Sequence, residues 1–128
     1  KFSVIESLLN FDFVRNLKKQ NVDVALSIDW FEGHGIDKSW SFAFHSFYPE
    51  TTIVGYRAFH SFPTYLCSFP IPIEYEAKCL PDEIAIQGEG SRKSLTEFFP
   101  KLDIRIIPSF KSAYVWDFDY KYNIKRSQ

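Results

Sequence analysis

The sequence predicts an α/β fold, specifically a three-layer, Rossmann-like domain with a mostly parallel sheet. Segments whose apolar residues recur at helical spacing alternate along the chain with short segments of apolar and β-branched residues. An apolar run over residues 22–28 ends in Asp29 and a turn that contains Gly33 and Gly35, as strand-to-helix connections of open α/β sheets do. The length of 128 residues allows one domain with a core of its own.

The first half of the chain predicts two helices, and a strand follows each of them. These elements are a helix over 4–17, a buried strand over 22–28, a helix over 36–47 and a strand over 51–56. Lys18 and Lys19 mark the exit of the first helix, because cations are favoured at the negative end of the helix dipole. Pro49 prevents the second helix from continuing.

The second half predicts the same alternation after a long connection. Its elements are a loop over 57–73, a helix over 74–80, a strand over 83–87, a glycine turn over 88–91 that leads into a helix ending at about residue 99, and a strand over 103–107. The loop is rich in proline and aromatic residues, and loops of this length inside a compact domain are often functional. In residues 113–118 every second residue is aromatic, which predicts an edge strand or a connector.

Composition and charge exclude several classes of protein. Fifteen basic residues against sixteen acidic residues give no basic excess for a nucleic-acid partner, and residues 121–126 are interpreted as a solvated basic tail. No apolar stretch approaches the ~18 residues of a membrane span. Cys67 and Cys79 lack metal-ligand spacing, so we expect two reduced thiols in a cytosolic protein. Because methionine is absent, we expect a piece of a longer polypeptide.

The turn after the first predicted strand carries the first candidate site. Asp29, Glu32 and His34 lie within one turn, and a carboxylate beside an imidazole can act as a general base with an orienting partner. The structural alternative is that Asp29 or Asp37 caps the following helix while His34 is an exposed turn residue. No second His or Cys cluster lies within sequence reach, so no metal site is predicted.

Two further segments combine residues that bind ligands. Gly88 and Gly90 allow close backbone approach before a helix start, where Ser91 and Arg92 can contact a phosphate or carboxylate, although the segment matches neither a Walker loop nor GxGxxG. Its alternative is a plain turn with Ser91 as N-cap. The long loop holds side chains that suit a polar ligand with a flat face, namely Arg57, His60 and Tyr65. That loop can equally fold onto the sheet edge or dock another domain.

Three segments together resemble a known family. The acid-plus-glycine segment at 29–35, GYRAFH at 55–60 and LPDEIAIQG at 80–88 follow one another as in bacterial surface-carbohydrate biosynthesis proteins, which resemble glycosyltransferases of the two-domain GT-B type. The likeness spans residues 25–110. The chain departs from that pattern at 57–59, where Arg-Ala-Phe replaces a Gln-His pair, and this leaves the role of His60 open.

The resemblance implies an acceptor-side domain of a glycosyltransferase in capsule or lipopolysaccharide assembly, cytoplasmic or peripheral to the inner membrane. A carbohydrate acceptor would bind here, whereas a nucleotide sugar, as co-substrate rather than cofactor, would be held mainly by a missing second domain that follows a linker at 108–128. The fragment alone would be inactive. The implied role of Asp29, Glu32 or His34 is to position or deprotonate an acceptor hydroxyl. Arg57 and His60 would line the cleft, and Tyr65 is a further candidate for substrate binding. The turn with Gly88, Gly90, Ser91 and Arg92 would lie near a diphosphate. The alternative is a non-catalytic partner-binding or receiver-like module.

Overall fold

The structure is a computed structural model that describes residues 2–59 and 64–109. Four helices alternate with four strands in these residues. The elements are α1 (Phe2–Lys19), β1 (Leu26–Trp30), α2 (Gly35–Phe47), β2 (Thr52–Arg57), α3 (Pro72–Glu76), β3 (Glu83–Ile86), α4 (Arg92–Thr96) and β4 (Ile104–Ile106), with 3-10 turns at Leu66–Ser68 and Glu89–Ser91. The predicted alternation of helices and strands is therefore confirmed.

The four strands form one parallel sheet in the order β1-β2-β3-β4. Asp29 is paired in register with Gly55, Gly55 with Ile84, and Ile84 with Ile104. The α/β class and the parallel, Rossmann-like sheet are confirmed. Because parallel strands all end at the same edge, the turns after β1, β2 and β3 share one side of the molecule.

The helices that contact the sheet cover the same face of it. When each right-handed crossover leads to the next strand in the same direction across the sheet, all the connecting helices lie on the same face of the sheet. Accordingly, Ile53 packs with Val14 of α1 and Phe44 of α2, while Ile84 packs with Leu95 of α4. The opposite face exposes half or more of Leu26, Ile28 and Trp30. The third layer of the predicted architecture is not found among the described residues.

Strand β1 differs from its prediction in position and environment. It begins at Leu26, not at residue 22, and it includes Asp29. The prediction of a fully buried strand was wrong, since β1 is an edge strand whose side chains are alternately exposed and covered. Residues before Leu26 instead follow the end of α1, where the Val22 N–H donates to the Leu17 carbonyl. An apolar run in the sequence shows that a strand can be buried, but it does not show whether one or both faces of that strand are covered by other elements.

Helix α1 forms as predicted but buries another face. Asn21, with φ of +55°, ends it in the left-handed conformation that helix C-termini favour. The side chains packed toward α2 include Phe11, Val14 and Leu17. The residues of the predicted apolar face that are more than half exposed are Val4, Ile5, Leu8, Leu9 and Phe13. The chain therefore carries an exposed apolar stripe along α1.

The later elements are shorter than predicted. Helix α3 starts at Pro72, whose fixed φ suits a first helical turn, and ends before Lys78, which has φ of +57°. Helix α4 ends at Thr96, and Phe99 beyond it still packs in the core. Helices among the described residues are too short or too polar to cross a membrane. The predictions for 113–118 and 121–126, and nearly all of the 108–128 linker, lie outside the described residues.

Candidate functional site

One carboxylate organises the turn between β1 and α2. Asp37, in the first turn of α2, accepts hydrogen bonds from the backbone N–H groups of Glu32 at 2.8 Å and His34 at 3.0 Å. Gly33, between them, has φ of +84°, a conformation that glycine adopts without strain. The alternative of an Asp37 cap is thus realised, and it coexists with a defined placement of Glu32 and His34.

The loop after β2 folds back against this turn. A side chain at Gly33 would place its Cβ 2.5 Å from the carbonyl oxygen of Cys67 and 3.0 Å from the Cα of Ser68. Real Cβ atoms do not approach backbone that closely, so the absence of a side chain at residue 33 permits the contact. The sequence prediction that this loop folds onto the sheet edge is supported for residues 64–69.

Arg57 joins the same two segments from inside. Its side chain is 1% exposed, and its guanidinium donates to the carbonyl of Phe31 in the turn and to the carbonyl of Ser68 in the loop. Burial lowers the pKa of Arg57 to about 10, although nearby Asp37 and Glu32 counteract the shift, so the group stays charged at neutral pH. These contacts give Arg57 a positioning role, and a direct contact with substrate stays a prediction.

Glu32, His34 and Tyr65 form a hydrogen-bonded cluster at the carboxyl edge of the sheet. Glu32 Oε2 lies 3.2 Å from His34 Nε2, and the Tyr65 hydroxyl lies 3.5 Å from His34 Nδ1. A neutral imidazole that donates from Nε2 to the carboxylate leaves Nδ1 as its basic atom. All three side chains remain partly exposed. The cluster can therefore receive a proton from a hydroxyl group that approaches Nδ1.

Asp29 lies within β1, before the turn that carries Glu32 and His34. Burial, and then the negative charge of Asp37, raise the pKa of Asp29 to about 6, while the backbone of Trp30 opposes the shift. Among the described residues, the hydrogen bonds at Glu32 and His34 that involve a side chain are with Trp30, Asp37, Tyr65 and each other, and the Asp29 carboxylate is not among these partners. A perturbed acid at a strand end is a feature of functional sites, but structural packing also produces it.

The segment after β3 lies at the same edge of the sheet. Gly88 has φ of +88°, and apart from Gly88 and its two chain neighbours no heavy atom of the described residues lies within 4 Å of the position its Cβ would take. Arg92 pairs with Glu89 at 2.7 Å, which partly neutralises the acid that would repel an anion. Ser91 occupies the N-cap position of α4 without a side-chain capping bond. Anion binding at Gly88, Gly90, Ser91 and Arg92 stays a prediction.

Two further predictions concern residues and ligands at this edge. His60 lies outside the described residues. Among residues 2–59 and 64–109, no group of three or more His, Cys, Asp or Glu side chains is arranged to hold a metal ion. Both cysteines are free, with Cys67 exposed and Cys79 partly buried.

Sequence reasoning missed one residue that the structure adds to the cluster. Trp30, the last residue of β1, donates from its indole Nε1 to Glu32 Oε1 at 2.7 Å. Its position two residues before Glu32 is visible in the sequence, but no local pattern indicates that its indole contacts that carboxylate. Trp30 is accessible because it lies at the end of an edge strand, on the face of the sheet opposite the helices.

Two grooves among the described residues are not lined by Glu32, His34 or Tyr65. One of about 510 Å³ lies between α3 and the segment after α4, lined by Tyr75, Phe99 and Lys101 among others. Another of about 330 Å³ follows the open sheet face, and Tyr56 and Ile28 contribute to it. The cluster itself is an exposed edge rather than an enclosed pocket.

Comparisons with known proteins assign no relative. No protein-family model matches the chain, and neither a curated protein nor a solved structure is significantly similar to it. The functional argument therefore depends on the residues and their geometry.

Proposed function

We propose that this chain is the acceptor-side domain of a glycosyltransferase that acts in the assembly of a cell-surface polysaccharide or lipopolysaccharide. The observation that carries the proposal is the Glu32–His34 pair at the carboxyl edge of the parallel sheet, with Nε2 held by the carboxylate at 3.2 Å. Ligands of open α/β sheets bind at this edge. The similarity of three sequence segments to surface-carbohydrate proteins supplies the substrate class.

In the proposed reaction His34 is the general base. Its Nδ1 removes the proton from the attacking hydroxyl of a carbohydrate acceptor while the glycosidic bond forms and the bond to the nucleotide diphosphate breaks. Glu32 fixes the imidazole tautomer and stabilises the imidazolium that results. The Tyr65 hydroxyl lies 3.5 Å from Nδ1, and in the proposed complex the acceptor hydroxyl takes this position beside the imidazole. The nucleotide sugar is contributed mainly by a second domain outside this chain.

The test uses this chain together with the donor-binding domain that the proposal requires. Nucleoside diphosphate release is measured with a panel of nucleotide sugars and oligosaccharide acceptors. We expect His34→Ala to lower kcat about 100-fold or more, in the range for loss of general-base catalysis. Glu32→Gln should lower kcat only about tenfold, because the imidazole remains but loses its charged partner. His45→Ala is the matched control, because His45 bonds to the Leu80 carbonyl near the other end of α2. Undiminished turnover in both site variants would exclude the proposed mechanism.

A second candidate, a partner-binding module without catalysis, is favoured by the apolar stripe of α1. A half-domain with a missing partner also leaves such a surface uncovered, so the stripe fits both proposals. Replacement of Leu8 and Leu9 by Ser tests whether the stripe binds a partner, and the His34→Ala variant separates the two proposals. Loss of association with a partner domain, together with transfer activity that does not depend on His34, would favour the binding module.

A further inference from the structure

Trp30 presents a large aromatic surface beside the proposed catalytic pair. It is 51% exposed, at the end of β1, on the sheet face that the helices leave open. Tryptophan is usually largely covered in folded proteins, so a half-exposed indole next to polar side chains is a feature of binding sites.

The indole is held in one orientation although it is exposed. Its Nε1 donates to Glu32 Oε1 at 2.7 Å, and its ring meets Tyr56 edge-on, with centroids 5.4 Å apart and planes at 76°. Tyr56 is in turn 8% exposed, and its hydroxyl accepts a hydrogen bond from Gln87 at 2.5 Å. A side chain fixed before the ligand arrives loses little conformational entropy on binding.

The Glu32 carboxylate connects this ring to the base. One of its oxygens receives the indole N–H, and the other faces His34 Nε2 at 3.2 Å. A ligand at this position meets a flat apolar surface and, beside it, groups that exchange hydrogen bonds with hydroxyls. A pyranose ring offers the complementary chemistry, because its C–H groups form an apolar face and its hydroxyls lie around the rim.

We propose that Trp30 is the stacking surface for a pyranose unit of the acceptor, placed so that a hydroxyl of that sugar reaches His34. This inference rests on the proposed function, because it takes the ligand to be a carbohydrate. It assigns Trp30 to binding and specificity, whereas the proton transfer belongs to the Glu32–His34 pair.

The experiment measures sugar binding to the chain itself by saturation-transfer NMR, with methyl β-D-glucopyranoside, methyl β-D-galactopyranoside and methyl N-acetyl-β-D-glucosaminide as probes. We expect binding on the order of millimolar for at least one probe, with the strongest saturation at the ring C–H protons of one sugar face. Trp30→Ala should weaken that binding about tenfold, whereas Trp30→Phe should keep most of it. Trp40→Phe is the control, since Trp40 bonds to Ser27 on the helix-covered face.

Several results would overturn the inference. The inference fails if Trp30→Ala binds the sugars as well as the unchanged chain does, if no pyranoside is saturated, or if choline binds in preference to the sugars. It also fails if Trp30→Ala changes only the sedimentation of the chain, because Trp30 would then form a contact between copies. The outcome is separable from that of the catalytic test. Sugar binding that depends on Trp30, combined with transfer that does not depend on His34, would retain the stacking surface and reject the base.

Discussion

At the scale of single residues, Asp29 illustrates how position in the fold changes the chemistry of a side chain. Its carboxyl group lies on the helix-covered side of an edge strand, where it is less solvated than a surface acid and close to the charge of Asp37. Both effects disfavour the ionised form. Ionised Asp29 therefore opposes folding.

We predict that Asp29→Asn stabilises the protein at neutral pH and not in acid. The folded-state pKa of about 6 lies above the ordinary 3.8, so the folded chain holds the proton more tightly and loses stability as the pH rises from about 4 to 6. Discounted for the partial exposure of the group, the gain above pH 6 is on the order of 1 kcal/mol. Urea unfolding at pH 3.5 and pH 7.5 measures it, with Asp103→Asn as an exposed control. A gain of the same size at both pH values would contradict the prediction.

Gly33 and Gly88 share a positive φ but differ in their surroundings. We predict that Gly33→Ala lowers the free energy of unfolding by about 3 kcal/mol, because backbone strain adds to a collision with the Cys67 carbonyl. Gly88→Ala should cost about 1 kcal/mol, since only the backbone conformation opposes it. Chemical denaturation measures both values. Gly35→Ala, with its nearest atom at 4.0 Å, is the control and should change stability little.

At the scale of elements, the turn after β1 and the loop after β2 behave as one unit. Arg57 donates to both segments, its guanidinium lies 5.9 Å from the ring of Phe31 and 5.4 Å from that of Phe59, and Gly33 allows the backbones to touch. Tyr65 reaches His34 because the loop is fixed in this way. The geometry of the proposed base thus depends on a connection that no single element contains.

We predict that Arg57→Met destabilises the protein by about 2 to 4 kcal/mol, because the carbonyls of Phe31 and Ser68 lose a charged donor in a buried place. Arg92→Met is the matched control. Its pair with Glu89 is largely exposed and should contribute less than about 0.5 kcal/mol. Similar losses for the two variants in thermal or urea unfolding would show that Arg57 does not join the segments as described.

At the scale of the whole molecule, the sheet has one covered and one open face. Ile53 is fully buried beneath α1 and α2, whereas Ile28, on the neighbouring strand, is 64% exposed on the opposite face. Substitution of these two isoleucines therefore compares the two faces of the sheet at the same type of side chain. A sheet that leaves such apolar surface uncovered is expected to bind a ligand or another protein surface there.

We predict that Ile53→Ala costs about 3 kcal/mol of unfolding free energy, the usual loss for a cavity in a packed core. Ile28→Ala should cost less than about 1 kcal/mol, because its side chain already contacts solvent. Equilibrium denaturation of both variants provides the test. A large loss for Ile28→Ala would show that its face of the sheet is covered in solution.

The sequence by itself determined the α/β class, the order of helices and strands, and the turn that carries Glu32 and His34. Periodicity and glycine turns are local properties, and they specify backbone conformation without reference to distant residues. Only the tertiary structure decided which face of α1 is buried, that β1 is an edge strand, that Arg57 points inward and that Trp30 stands beside Glu32. Those outcomes depend on the direction in which successive crossovers step across the sheet, and no local pattern in the sequence encodes that direction.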